Sequence, residues 1–145
     1  NTMDSLRFKL PLGKIERSCA VLCFLFAAGT SANECQNYQN AQLVGTLQQQ
    51  TFAGPPNYES IAAGDKAERY FLLKLSAPIC VNADAQQQEP SFKAITEVQL
   101  ILNGASNYDS LRGRLDQMIS CKGKLLSAQT GHHHTEVLLS AAQCD

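Results

Sequence analysis

The 145-residue chain contains no Trp, and its aromatic content is limited to four Tyr and six Phe. It also lacks an excess of either charge, with twelve Lys and Arg against thirteen Asp and Glu. Near-neutrality excludes a strongly basic nucleic-acid binder and a strongly acidic disordered chain. No basic residues interleave with aromatics along a strand, and no Gly-rich phosphate loop is present, so base stacking and nucleotide binding have no support. A G-x-S-x-G elbow, a C-x-x-C and an H-E-x-x-H are all missing, which removes the common serine-hydrolase and zinc signatures. A stretch of about twenty apolar residues, needed to cross a bilayer, is absent too.

Six Cys is a high count for this length, so the compartment has to be settled first. Met3 is taken as the start. The leader that follows is basic, with Arg7, Lys9, Lys14 and Arg17 against Asp4 and Glu16. An apolar run then occupies residues 19–28, followed by Gly29, Thr30, Ser31 and Ala32. Basic, apolar and small-residue regions in that order are a secretory signal, expected to span residues 3–32 and to be cleaved after Ala32. A membrane anchor would need twice the apolar length. A buried core helix would leave the basic leader and small-residue exit unexplained. A lipoprotein would need small residues just before its Cys, whereas Asn33 and Glu34 precede Cys35.

Cleavage would leave one domain, residues 33–145, with eight basic and eleven acidic residues and a net charge near −3. That argues against nucleic acid and anionic membrane as partners. Cys35, Cys80, Cys121 and Cys144 remain, an even set in an oxidising compartment, which implies two disulfides.

Apolar alternation predicts strands at 41–52, 68–81, 94–102, 117–128 and 135–144. In the first, Leu43, Gly45, Leu47 and Gln49 share a face, and Gly45 suggests the sharp coiling of a small barrel. In the third, Thr96, Val98, Leu100 and Leu102 are expected to face the core. A helix over 108–115, capped by Ser106 or Asn107, falls between the third and fourth strands. Three strands, a short helix and two strands is the order of a mainly β, OB-like five-stranded Greek-key barrel. An open α+β sheet and a small sandwich are the rival arrangements. If the last two strands form a hairpin turning near 131–133, opposed residues have numbers summing to 264 or 265. Cys121 then faces Cys144, leaving Cys35 to pair with Cys80.

Two loops could carry function. Gly131-His132-His133-His134 lies inside the domain, and in an extended segment His132 and His134 point one way and His133 the other. Two imidazoles on one side can bind Zn, Cu or Ni, although a structural site wants four ligands. A polar loop with its imidazoles hydrogen-bonded or packed is the simpler reading. Gly54-Pro55-Pro56-Asn57-Tyr58-Glu59 is a stiffened loop presenting an aromatic, or else a rigid connector. In an OB barrel these two loops flank the binding face, so Asn57, Tyr58, Glu59, His132, His133 and His134 could border one site. No cofactor beyond such a metal is implied. A His–carboxylate pair such as His132 or His134 with Glu59 or Glu136 could act as general base, and nothing in the sequence orders it.

The chain resembles an uncharacterised family of exported bacterial domains, a domain of unknown function. The resemblance lies in residues 44–47, 54–61, 75–81, 98–100, 123–125 and 130–139, with G-P-P-N-Y and T-G-H-H-H-T the most specific blocks. It implies a single envelope domain, periplasmic or secreted, of a Gram-negative bacterium, and carries over no activity and no catalytic residue. The Cys121 and Cys144 pair departs from the family pattern. The expected role is a non-enzymatic binding module for a small ligand, glycan or metal. The alternatives are an inhibitor or immunity protein for an envelope enzyme, and a small hydrolase.

Overall fold

The structure, a computed structural model, describes residues 34–145; the expected signal segment lies outside the described residues. Five strands, β1 (Ala41–Ala53), β2 (Ala67–Val81), β3 (Phe92–Ile101), β4 (Met118–Ser127) and β5 (Val137–Cys144), carry one helix, α1 (Ala105–Arg112), between β3 and β4. They close into a barrel in the order β1-β2-β3-β5-β4. β1 pairs antiparallel with both β2 and β4, while β3 and β5 run parallel. This is the five-stranded, Greek-key order expected from the sequence. Closure rules out the open sheet and the sandwich.

The alternation in β1 is observed: Ala41, Leu43 and Leu47 are buried, with exposed Gln42 and Val44 between them. Gly45 sits where β1 crosses β2 so closely that a Cβ would collide with the Lys74 carbonyl oxygen, which is why the position holds Gly. Gln49 also points inward and donates to the Tyr108 hydroxyl at 2.9 Å, tying α1 to the barrel. Leu73, Val98, Leu125, Val137 and Leu139 complete the interior. Removing a side chain such as Leu73 from it would cost about 2–5 kcal/mol.

Two expectations need correction. Ile95, not Thr96, enters the core, and Thr96 is exposed. Here the β2–β3 ladder shifts register, the five residues from Lys74 to Ile79 spanning only Glu97 to Ile95, and the strict alternation of inward residues in β3 breaks between Ile95 and Val98. The helix begins at Ala105 rather than Tyr108 and has Gly104 as its N-cap, with no side-chain cap bond. It ends at Arg112, before Leu115.

Both disulfides form as paired, Cys35 with Cys80 and Cys121 with Cys144. In the β4–β5 hairpin, Ser127 to Lys124 face Val137 to Ser140, and a register shift then brings Cys121 opposite Cys144. The tail before β1 is held by the other bridge and by Gln36, whose amide donates to the Cys80 carbonyl. Tyr38 is buried beneath it and donates to the Pro90 carbonyl at 2.6 Å.

Candidate functional site

The 129–136 loop folds back over the outer surface of the barrel and is anchored by one side chain. Gln99 falls between the inward-facing Val98 and Leu100, yet it is only 2% exposed because the loop covers it. Its Nε2 donates to the His132 carbonyl at 2.9 Å, and its Oε1 accepts from the His134 amide at 2.7 Å. Its own backbone amide donates to the Thr135 hydroxyl. Leu72 and Leu138, the strand neighbours of Gln99, are fully buried on the same outer face. The loop is therefore docked on a small apolar patch with a satisfied amide at its centre.

The 54–65 loop is organised by Asp65, which is buried although it precedes a strand. Its carboxylate accepts from the backbone amides of Asn57, Glu59 and Ser60, each at 2.9 Å, and from the Asn57 side chain. The Ser60, Asn57 and Glu59 amides hold its pKa below the ordinary carboxylate value. Asn57, Tyr58 and Glu59 are exposed at the loop tip, Tyr58 with a positive φ of 60°.

The two loops meet. The Tyr58 ring packs edge-on to His132, with centroids 5.2 Å apart. Its hydroxyl lies 3.1 Å from His132 Nε2. A Cβ on Gly131 would sit 3.0 to 3.1 Å from the Tyr58 ring, so the absent side chain permits this contact. The other nitrogen of His132, Nδ1, is 2.8 Å from Glu68 Oε2 and 3.2 Å from the Tyr70 hydroxyl. Tyr70 donates to the same carboxylate oxygen at 2.7 Å. With Nδ1–H donating to Glu68, Nε2 is left to accept from Tyr58. The Tyr70 and His132 hydrogen bonds hold the Glu68 carboxyl below its usual pKa. Burial, then Glu68, pushes the Tyr70 phenol up to about 12.

His134 lies on the same side of the loop as His132, as the alternation suggests. Its ring stacks on Phe52 at 3.9 Å with an interplanar angle of 3°, and Tyr70 flanks it at 5.2 Å. Burial pushes its pKa down, which favours the neutral imidazole. His134 Nε2 is buried without a hydrogen-bond partner among the described residues. His133 turns back to its own loop, where Nδ1 accepts from the Gln129 amide.

Of the sequence-derived site residues, Tyr58 and His132 are thus in contact, His134 lies beside them, and Asn57 and Glu59 form an exposed rim. The carboxylate beside His132 is Glu68, not Glu59 or Glu136. Glu136 instead lines, with Glu97, Thr96 and His134, a separate recess of about 230 Å³. Glu68, Tyr70 and Phe52 were missed, although Glu68 and Tyr70 stand two apart on one face of β2. Among the described residues, no three His, Cys, Asp or Glu side chains converge as metal ligands. Both nitrogens of His132 are engaged, so a metal would have to displace Glu68 or Tyr58.

No curated protein matches the chain. Residues 97–143, which carry Gln99 and the triple-His loop but not the 54–59 loop, are similar to the family described as a domain of unknown function (DUF4431).

Proposed function

We propose that this is a non-enzymatic binding module of the periplasm or extracellular space, which holds a small polyhydroxylated ligand such as a glycan at the joint of the two loops. The observation that carries it is the accessible cluster Tyr58–His132–Glu68–Tyr70. His132 is 48% exposed and Tyr58 38% exposed, on the face that OB barrels use for oligosaccharides. A carboxylate, an imidazole and two phenols offer paired donors and acceptors around an aromatic ring, the chemistry that recognises sugar hydroxyls. None of the four cluster residues is a Lys or Arg, so a polyphosphate is a poor fit. Two disulfides agree with an oxidising compartment.

The test is calorimetric titration of the oxidised protein with an N-acetylglucosamine trisaccharide, maltotriose, and Zn, Cu and Ni. Binding of a saccharide, lost in His132→Ala and Tyr58→Ala, is expected. Saturable heat from a metal alone, abolished by His132→Ala/His134→Ala, would replace the glycan by a metal. No heat from any of them would turn attention to the second reading, an inhibitor or immunity protein. One observation favours that reading: the exposed tip at Asn57, Tyr58 and Glu59 is held rigid by Asp65, as an inserting loop needs to be. For a hydrolase, one of the expected pairs, His134 with Glu136, lines the 230 Å³ recess, whereas Glu68 and His132 line neither that recess nor the cleft between β2 and β3.

A further inference from the structure

On the other side of Gln99 the barrel wall opens. β2 and β3 are paired at Lys74 with Glu97, Leu73 with Val98 and Leu72 with Gln99. The same register would join Phe71 to Leu100, Tyr70 to Ile101 and Arg69 to Leu102, yet none of these three pairs forms. Among the described residues, β2 continues to Ala67 paired only with β1, and the end of β3 only with β5. Two strand edges therefore face each other across a gap. That gap is a cleft of about 310 Å³, lined by residues 69–71 and 99–102 with Tyr108 of α1.

The lining has a definite chemistry. Phe71 and Leu100 are buried at its base, and the Tyr108 ring packs on Phe71 at 4.8 Å. Arg69 is exposed at the rim and forms no ion pair among the described residues. The volume is at the small end of ligand clefts, which run to about 300–1,000 Å³, so it admits only a few residues of chain. Main-chain edges on both walls distinguish it from a purely apolar pocket, because an unpaired edge is a template for another strand.

We infer that this cleft binds a short extended peptide segment of a partner protein, adding backbone hydrogen bonds at the unzipped edges of β2 and β3. An apolar side chain seats on Phe71, Leu100 and Tyr108, and an acidic group pairs with Arg69. The mode is strand addition, in which main-chain bonds supply affinity and the floor and rim supply selectivity. The mouth is distinct from the Tyr58–His132 cluster, although Tyr70 and Gln99 border both.

The test is selection of peptides from a displayed random decapeptide library on the oxidised protein, followed by amide-shift mapping of the enriched sequences. Enriched peptides are expected to carry an acidic residue beside alternating apolar ones. Their shifts should centre on residues 69–71 and 100–102, leaving 57–59 and 131–133 unmoved. Arg69→Gln, an exposed change that leaves the fold intact, should weaken binding about fivefold. Leu102→Trp should block the cleft, and its amide dispersion reports whether the barrel is folded. Failure to enrich any sequence, or shifts at the His loop instead, would overturn the inference. So would equal binding of Arg69→Gln, or binding of 3-phenylpropionate at these amides without any peptide preference. A glycan titration at the loop cluster proceeds independently of each outcome.

Discussion

His134 shows how one residue in the loop is both useful and costly. Its backbone amide completes the Gln99 clamp, and its ring covers Phe52, so the position favours a flat aromatic. The imidazole adds a buried nitrogen that no described residue bonds. Leaving such a group unpaired costs about 1–3 kcal/mol, whereas replacing it by an apolar group of similar shape removes the penalty. His134→Phe is therefore expected to raise stability by about 1 kcal/mol, measured as a higher urea midpoint at unchanged slope. The clamp survives because it uses the main chain. A midpoint that falls would mean that His134 Nε2 is solvated or bonded in the native protein. Gln99 is the opposite case. Both ends of its amide are used, and it stands between the barrel and the loop that presents His132.

At the scale of elements, the β4–β5 hairpin carries the most instructive constraint. Ser127 to Lys124 pair with residues whose numbers sum to 264, and Cys121 pairs with Cys144 at 265, so a single irregularity separates turn from bridge. The Cα atoms of the two Cys are 4.1 Å apart across the strands, and the bond closes a 23-residue separation. A loop of that length restricts the unfolded chain by about 3 kcal/mol. Cys121→Ser/Cys144→Ser should lower the unfolding free energy by about that amount while Cys35–Cys80 stays intact. A loss below about 1 kcal/mol would show that the hairpin is already closed in the unfolded ensemble. This pairing was legible in the sequence because a turn and a parity fix it locally. The face of β3 was not, because its alternation breaks between Ile95 and Val98 where its partner β2 is irregular, and the sequence of β3 alone does not mark a break set by its neighbour. The site divides the same way. Tyr58 and His132 stood out by composition and were expected to be neighbours through loop placement. Glu68 is 64 residues from His132, and the loop folding back onto β2 is what joins them.

Across the whole molecule, proton linkage ties these local features into one stability profile. His134 has its pKa lowered by burial, so below about 6.5 the unfolded chain takes up a proton that the native protein resists. Stability thus declines as pH falls through that value, and levels off once the native imidazole also protonates. Glu68 and Asp65 are held ionised by the hydrogen bonds they accept, so a second decline begins near the ordinary carboxylate range, about 4, and continues downward. At the other extreme, Tyr38 is pushed up to about 12, first by burial and then by Glu89 and Asp84, and Tyr70 likewise reaches about 12. Unfolded phenols ionise near 10, so stability falls again as pH rises from about 10 to about 12, with Tyr38 alone contributing on the order of 2 kcal/mol. The expected profile of Tm against pH, followed by circular dichroism, is a plateau over about 7–9 with two steps on the acid side and one on the alkaline side. His134→Phe should erase the step near 6 and leave the lower one in place. A Tm that rises below pH 6 in the parent protein would require His134 to be stabilised as a cation, contrary to its burial. An unchanged step in the variant would show that His134 is not its origin.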